Sequence, residues 1–569
     1  MIDKQNTAEN PDPKSSVNLK DVKCLEHVVC IMFENRSFDN MMGYLYGPDK
    51  SGIPAGQNFE GLTNEPGTYW CLTGLGEKLQ AFPYVKFDDP DLNGEGLAKA
   101  ANSPYPDPGE EYQQVNVQLY GTYHPWLNYG EDVPHMVAPY NMPDKVSEND
   151  WARMRGFFKN YFYHIMYSPE YKNKPGSRTE VAKEVEELSR QIMGSFTPRQ
   201  LPVLSKLAEQ FAVYDHWFSA VPTQTFPNRA FFHASTSSGY VTNWGNNNPE
   251  NPELDPEKWL LRNRVLTIFN SLEKACIPWA IYYDESQRHS MTTLINAWAF
   301  EPEQMAAHAD KIRTMDQFYK DVENGNLPAY SFIEPRGFFD HNDMHPPLKF
   351  YADGRPIFDP SDVRAGEQLL HEVYTAIRNS KTEQPGKSNA MNTTLLITFD
   401  EHGGTYDHVM PPAAKPPHPD AKPGECDFKF DRFGLRVPTI VVSAQTRRNT
   451  VINDFMHHGS LIATLCNKYG LDPLTERDKG APDIGNAFNL PEEQRREAND
   501  WPETVPNPVT PKQTQGPFTG DIALTPLTTP ALSQAALLLA KYGEPGDKIP
   551  ENYQEAYEMF ERIDKKLPR

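Results

Sequence analysis

Cysteine is scarce in this chain, with six in 569 residues (Cys24, Cys30, Cys71, Cys276, Cys426 and Cys466) and no Cys-x-x-Cys pair. Neither a zinc knuckle nor a disulfide framework is indicated, and Cys30, inside an apolar run, reads as a small buried apolar residue. Basic charge is also in deficit: 55 Lys+Arg stand against 77 Asp+Glu, a formal charge of −22. That balance disfavours nucleic acid as a partner and electrostatic attraction to a membrane, so any transient contact with lipid has to come from a local apolar or aromatic surface. No apolar run is long enough to span a bilayer. The most apolar late segment, 531–542, has the Leu532, Ala535, Ala536, Leu539 spacing of an amphipathic helix stopped by Gly543. The start, Met1-Ile2-Asp3-Lys4-Gln5-Asn6-Thr7, lacks the charged end and apolar stretch of a secretory signal. The chain as written is expected to be cytoplasmic or exported by a signal-independent route, and secreted if the sequence has been trimmed.

What is present is a pair of apolar runs that stop in acidic residues. Val28-Val29-Cys30-Ile31-Met32-Phe33 is followed at once by Glu34-Asn35-Arg36-Ser37-Phe38-Asp39. Thr394-Leu395-Leu396-Ile397-Thr398-Phe399 runs into Asp400-Glu401-His402-Gly403-Gly404-Thr405-Tyr406-Asp407-His408-Val409. Runs apolar on both faces suit central strands of a parallel sheet covered by helices. Ligands bind beyond the carboxyl ends of such strands. If the two runs are neighbouring parallel strands, Glu34, Asn35, Asp400 and Glu401 meet at one edge, where a cation or a reaction must compensate their desolvation. A loop start at Glu34 and a helix cap at Asp400 are the alternative, which weakens when both runs are taken together.

Other strand candidates are 279–283, 329–333 and 437–442, and helical spacing appears over 178–192, 198–210 and 365–379. Strands alternating with helices predict an α/β fold with a mostly parallel central sheet. Length alone would suggest three or four domains. The candidate site residues span 34 to beyond 400, so one large domain over 23–499 is expected instead, after a loose polar arm (1–22). A Pro- and Thr-rich linker with helices (500–569) should follow it. Residues 48–150, rich in Pro, Gly, Asn and Tyr, read as a long insertion forming a wall or lid. There is no internal repeat.

Two further segments carry chemistry. In Thr223-Gln224-Thr225-Phe226-Pro227-Asn228-Arg229 a hydroxyl and a fixed cation lie close together. Thr225 is a poor nucleophile unless a divalent cation lowers its proton affinity. In isolation the same stretch reads as a turn with a surface arginine. Glu334-Pro335-Arg336-Gly337-Phe338-Phe339-Asp340-His341-Asn342-Asp343-Met344-His345-Pro346 follows a strand candidate, and histidines there can bind phosphoryl oxygens or protonate a leaving group.

These motifs, together with Gly434-Leu435-Arg436-Val437-Pro438, resemble in order the motif set of the bacterial phospholipase C and acid phosphatase family, which includes plant non-specific phospholipases C. The five motifs cover about residues 27–470. The resemblance implies an alkaline-phosphatase-like core with long loop insertions, and hydrolysis of a phosphate ester through a covalent phospho-enzyme. Carried over by position, Glu34, Asn35, Asp400 and Glu401 hold the metal with Thr225, which also attacks phosphorus. His345, Asp407 and His408 serve the phosphoryl group or the leaving oxygen. Asn228, Arg229, Asn342, Asp343 and His402 become substrate contacts, as does His458 from a less constant His-x-Ser element.

One position departs from that pattern. Many relatives place a histidine after an Asp-Pro pair, whereas Asp107-Pro108-Gly109 is followed here by Glu110-Glu111-Tyr112. The carboxylates Glu110 and Glu111 are therefore candidates to receive a cationic headgroup such as choline, with help from Tyr112, Tyr120, Tyr123 or Trp126. The proposed metal ligands are all oxygen donors, which favours Ca²⁺ and leaves Mg²⁺, Mn²⁺, Zn²⁺ or Fe open. The function expected is a metal-dependent phosphoesterase, foremost a phospholipase C acting on glycerophospholipids. An acid phosphatase acting on soluble monoesters and a non-catalytic binding or effector module remain alternatives.

Overall fold

The two acid-terminated runs lie side by side. In the computed structural model, strand β1 (His27–Phe33) pairs in parallel with His27 opposite Thr393 and Phe33 opposite Phe399, so both strands end at the same level. The structure describes residues 17–87, 101–144, 153–243, 256–305, 308–347, 349–352, 355–358, 361–509, 520–523, 527 and 529–563.

The central sheet contains β1, β2 (Ala212–Tyr214), β3 (Trp279–Tyr283), β4 (Ile312–Thr314), β5 (Tyr330–Glu334), β6 (Thr393–Phe399), β7 (Thr439–Val442) and β8 (Thr450–Ile452). Its order is β8-β2-β7-β6-β1-β5-β3-β4. β1 lies between β6 and β5, parallel to both. Only β7 runs against its neighbours β6 and β2, giving a mixed, mostly parallel sheet. This arrangement is consistent with an alkaline-phosphatase-like α/β core. The whole of β6 and all of β1 after His27 are buried, as strands covered on both faces must be. Cys30 is fully buried within β1.

Flanking helices include α1 (Tyr112–Tyr120), α2 (Phe157–Tyr167), α3 (Pro202–Gln210), α4 (Thr225–Ala234), α5 (Val363–Asn379), α6 (Gly459–Tyr469), α7 (Thr529–Tyr542) and α8 (Tyr553–Ile563). Two boundaries differ from the sequence expectation because of proline. The helix expected over 198–210 starts at Pro202, since the ring of Pro202 holds Leu201 outside the helical region at φ −120° and ψ 64°. The strand expected over 437–442 starts at Thr439, because Pro438 has no N–H for a ladder.

Every residue of α1 is buried. With α2 it builds a second core in which Val115, Leu119, Phe157 and Tyr161 meet Tyr406 and Leu435 from the loop after β6. Part of the 48–150 stretch is thereby packed directly on the loop that carries Asp400 and Glu401. α7 and α8 join a third core with Phe226, Phe338 and Phe339. Of the arm expected over 1–22, residues 1–16 lie outside the described residues; Leu19–Asp21 forms a 3-10 turn with Leu19 buried. Residues 510–519 of the expected linker also lie outside them. Among the described residues no helix is long and apolar enough to cross a membrane.

Candidate metal-assisted active site

The chain leaves β1 and β6 in turns that lock together. Glu34 N–H donates to Asp343 O at 2.8 Å, Asp400 N–H to Phe33 O at 3.1 Å, and Arg36 N–H to Glu401 O at 3.0 Å. Asn35 adopts φ 59°, and its backbone N–H donates to Asp400 Oδ1 at 3.0 Å. Gly403 and Gly404 also have positive φ, and their missing side chains are required by packing. A Cβ on Gly403 would lie 2.0 Å from Asn35 O, and one on Gly404 2.4 Å from Gly109 O.

Thr225 opens α4, where the helix N-terminus favours developing negative charge on its oxygen. Its hydroxyl donates to Asn35 Oδ1 at 3.2 Å. One turn later, on the same side, the Arg229 guanidinium reaches Glu34 Oε1 and Asp400 Oδ2, both at 3.1 Å. Asn228 closes the loop before the helix: its Oδ1 accepts from Val221 N–H at 3.0 Å, and its Nδ2 donates to Thr223 O at 2.8 Å.

This set suits a hard cation. Glu34 Oε2 and Glu401 Oε1 are buried without a hydrogen-bond partner. A carboxylate left so costs several kcal/mol of desolvation on the order expected for a buried ion, unless a cation faces it. Burial pushes the Glu34, Asp400 and Glu401 carboxyls above their ordinary range. Arg229 pulls Glu34 and Asp400 back, while Asp400 raises Glu401 further. Glu34, Asn35 Oδ1, Thr225 Oγ1, Asp400 and Glu401 together supply oxygen donors of the type Ca²⁺, Mg²⁺ or Mn²⁺ takes.

The sequence profile of the Phosphoesterase family matches residues 25–472, most of the chain. The chain belongs to the Phosphoesterase family. Similar proteins include non-specific phospholipase C6 of Arabidopsis thaliana, 29% identical over 538 residues that make up 90% of this chain and 81% of that protein. Non-specific phospholipase C5 of the same plant is 30% identical, covering 85% of this chain and 77% of its own. Phospholipase C A of Mycobacterium tuberculosis is 25% identical over 52% of this chain and 56% of its own.

Other predicted residues of this phosphoesterase take up positions around the Thr225 group. Asp343 accepts the His345 N–H at Oδ1 (3.0 Å) and lies 2.9 Å from His341 Nδ1 through Oδ2, while Asn342 Oδ1 accepts Arg336 N–H. His345 Nε2 lies 3.0 Å from Asn35 Nδ2. His458 Nε2–H donates to Asp400 O at 2.6 Å, and its Nδ1 accepts the Trp217 indole N–H at 3.2 Å. His402 Nε2 lies 2.8 Å from Gln118 Oε1, with Nδ1 3.1 Å from Glu401 Oε2. Burial lowers His345 and His458 to about 4 and His402 to about 3, so all three imidazoles are neutral at pH 7. Glu110, from the insertion, accepts the Asn35 Nδ2–H.

Asp407 and His408 are gathered in a second cluster. Arg436 Nε and Nη2 bind Asp407 Oδ1 at 3.0 Å and Asp39 Oδ1 at 3.0 Å, and His408 bridges Asp39 Oδ2 (2.6 Å) and Glu60 Oε1 (3.0 Å). Burial alone would lower the His408 pKa, but Asp39 and Glu60 raise it to about 9. Tyr112 packs against Phe428 at 5.0 Å between ring centres, in an apolar cluster with Phe231 and Phe430. Sequence reasoning did not single out Asp39, Glu60, Asp107 or Gln118 as site residues. Asp39 and Asp107 did stand inside quoted motifs, whereas Glu60 and Gln118 carry no local signal.

Proposed function

We propose that this protein is a phospholipase C that cleaves glycerophospholipids to diacylglycerol and a phosphorylated headgroup, in keeping with the activities named for its relatives. The observation that carries the reading is the meeting of Glu34, Asn35, Asp400 and Thr225 at the adjacent ends of β1 and β6, with the Thr225 hydroxyl 3.2 Å from Asn35 Oδ1. A divalent cation held by Glu34, Asn35, Thr225, Asp400 and Glu401, with Ca²⁺ first among candidates, would lower the proton affinity of the hydroxyl and screen the phosphoryl oxygens.

Thr225 Oγ would then attack phosphorus in line, giving up its proton as the bond to the diacylglycerol oxygen breaks and that oxygen takes up a proton from water, leaving the phosphorylated headgroup on threonine. Water hydrolyses that ester and restores the hydroxyl. His345 lies beside Asn35 to meet the phosphoryl group, while Arg229 keeps Glu34 and Asp400 in place. Contact with the lipid surface would run through Trp126 and Leu127, 74% and 72% exposed, with Tyr129 stacked on Trp126 at 4.6 Å.

The test is hydrolysis of phosphatidylcholine, phosphatidylethanolamine and phosphatidylinositol with and without EDTA. Release of diacylglycerol that EDTA abolishes and added metal restores is expected. Release confined to p-nitrophenyl phosphate, with none from p-nitrophenyl-phosphorylcholine or lipid, would make the protein a monoester phosphatase instead.

A further inference from the structure

The turn that presents Thr225 is held from outside as well as by Asn228. After α4 the chain reverses through Ser235 and Gly239, both at positive φ, and comes back over the length of the helix, about 15 Å for its ten residues. The return brings the buried Asn243 to the start of α4. Its Oδ1 accepts the Phe226 N–H at 2.8 Å, and its own backbone N–H donates to Gln224 Oε1 at 3.1 Å. Val241 O accepts the Thr223 hydroxyl. The residues on either side of Thr225 are thus both bonded to Asn243.

Residues 235–243 form neither helix nor strand, so their backbone groups need partners from elsewhere. Glu425 supplies them. Its Oε2 accepts the Val241 N–H at 2.7 Å and the Thr242 N–H and hydroxyl at 3.2 Å each, and its own N–H donates to Gly239 O at 2.9 Å. A Cβ on Gly424 would lie 2.3 Å from Gly239 O, so the two backbones are in close contact. Glu425 belongs to the connection between β6 and β7, which begins with Asp400 and Glu401. Its carboxylate therefore ties the start of α4 to the chain segment that carries two of the oxygen ligands.

The charge on that carboxylate matters, because hydrogen bonds to an ionised acceptor are about twice as strong as those to a neutral one. Burial raises the Glu425 carboxyl to about 7, against the pull of Val241, Thr242 and Arg262. Arg262 also stands over the Tyr240 ring, at 4.8 Å, and the exposed Asp427 adds a negative charge on the same turn as Glu425. Tyr112 and Tyr140, which pack in the apolar cluster of Val241 and Cys426, have their hydroxyls pushed up and stay neutral.

We propose that Glu425 is a positioning residue for Thr225: its carboxylate holds residues 241–243, and through the Asn243 amide the first turn of α4, where the Thr225 oxygen can reach phosphorus. The inference rests on the reading of Thr225 as the nucleophile and adds to it a residue that acts through Asn243. In-line attack is sensitive to such placement, since a shift of about 1 Å at the reacting atom costs up to about a hundredfold in rate.

The test compares wild type with Glu425→Gln, which keeps the shape and an acceptor oxygen but not the charge. The substrate is p-nitrophenyl-phosphorylcholine, or p-nitrophenyl phosphate if only the monoester is cleaved. At pH 8 the variant should lose about tenfold in kcat with KM within about twofold. At pH 5.5, where the wild-type carboxyl is protonated as well, the two kcat values should converge. The thermal midpoint at pH 8 should not fall with kcat. A carboxyl raised from 4.5 to about 7 in the fold contributes stability below pH 4.5 and has lost it above 7, so the charge at pH 8 adds none. Asn243→Ala should lower kcat similarly, and the double variant no further than the worse single one, as links of one chain do. Should Glu425→Gln not fold, Asn243→Ala carries the test, and a kcat within about twofold of wild type overturns the proposal. Glu425→Gln profiles parallel to wild type at every pH, a change in KM alone, or a midpoint that falls with kcat would overturn it and leave the proposed function standing. A wild type inert toward both substrates overturns both.

Discussion

As the proposed nucleophile, Thr225 would act through its position as much as its chemistry. It is the first residue of α4, its hydroxyl is bonded to Asn35 Oδ1, and the loop before it is tied down by three acceptors of the Asn228 amide, the carbonyls of Val221, Thr223 and Gln224. Removing the hydroxyl should therefore abolish chemistry without disturbing the fold. Thr225→Ala is expected to lose at least about a hundredfold in turnover with its thermal midpoint unchanged, the scale seen when a covalent nucleophile is deleted. Initial rates of diacylglycerol release beside a melting curve would check it, and activity within a few-fold of wild type would remove Thr225 from the mechanism. Arg229 at the same scale is a positioning residue, because its guanidinium is engaged by Glu34 and Asp400.

Among the elements, the loop after β6 does two jobs. Its first residue, Asp400, binds Asn35 and Arg229, and its later ones bind Asp39 and Glu60, anchoring the segment after β1 to the insertion. The His408 pKa of about 9 lies above the ordinary value of 6.5, so its contribution to stability is complete below pH 6.5 and is lost as pH rises through 9. The groups facing it are Asp39 and Glu60, which favour its charge, and Arg436, which opposes it. Wild type should therefore lose on the order of 2 kcal/mol between pH 6.5 and 9.5 that His408→Gln does not lose. Urea midpoints across that range would show parallel curves if the clamp were neutral.

How far these elements can be read from sequence depends on what specifies them. β1 and β6 are legible because a strand apolar on both faces has to lie inside a covered parallel sheet, and that alone brings Glu34 to Asp400. The short strands β2, β4 and β8 are not, since three residues leave no periodicity. The motif residues were legible as a set, but not their partition. Thr225 and Asn35 share one cluster, while Asp407 and His408 join another with Glu60. That pairing of His408 with a residue 348 positions away depends on the path of the insertion, for which the local sequence carries no pattern.

At the scale of the whole molecule, the lipid contact proposed above would have to be driven by apolar burial at the exposed Trp126-Leu127 pair, since the formal charge is −22. Trp126→Ala with Leu127→Ala should reduce hydrolysis of long-chain phosphatidylcholine vesicles about tenfold or more, since two large apolar side chains contribute on the order of 1.5–3 kcal/mol each when buried. Hydrolysis of a short-chain soluble analogue should be spared, and equal losses on both substrates would mean the pair supports the fold or the site.

On the proposed function Thr225 is the nucleophile, so the most direct measurement looks for the covalent bond it would form. Enzyme quenched in acid during turnover of phosphatidylcholine, digested and analysed by mass spectrometry should carry the mass of the phosphorylated headgroup on Thr225. An enzyme that turns over under the same conditions with Thr225 unmodified, and whose Thr225→Ala variant remains active, would contradict the account.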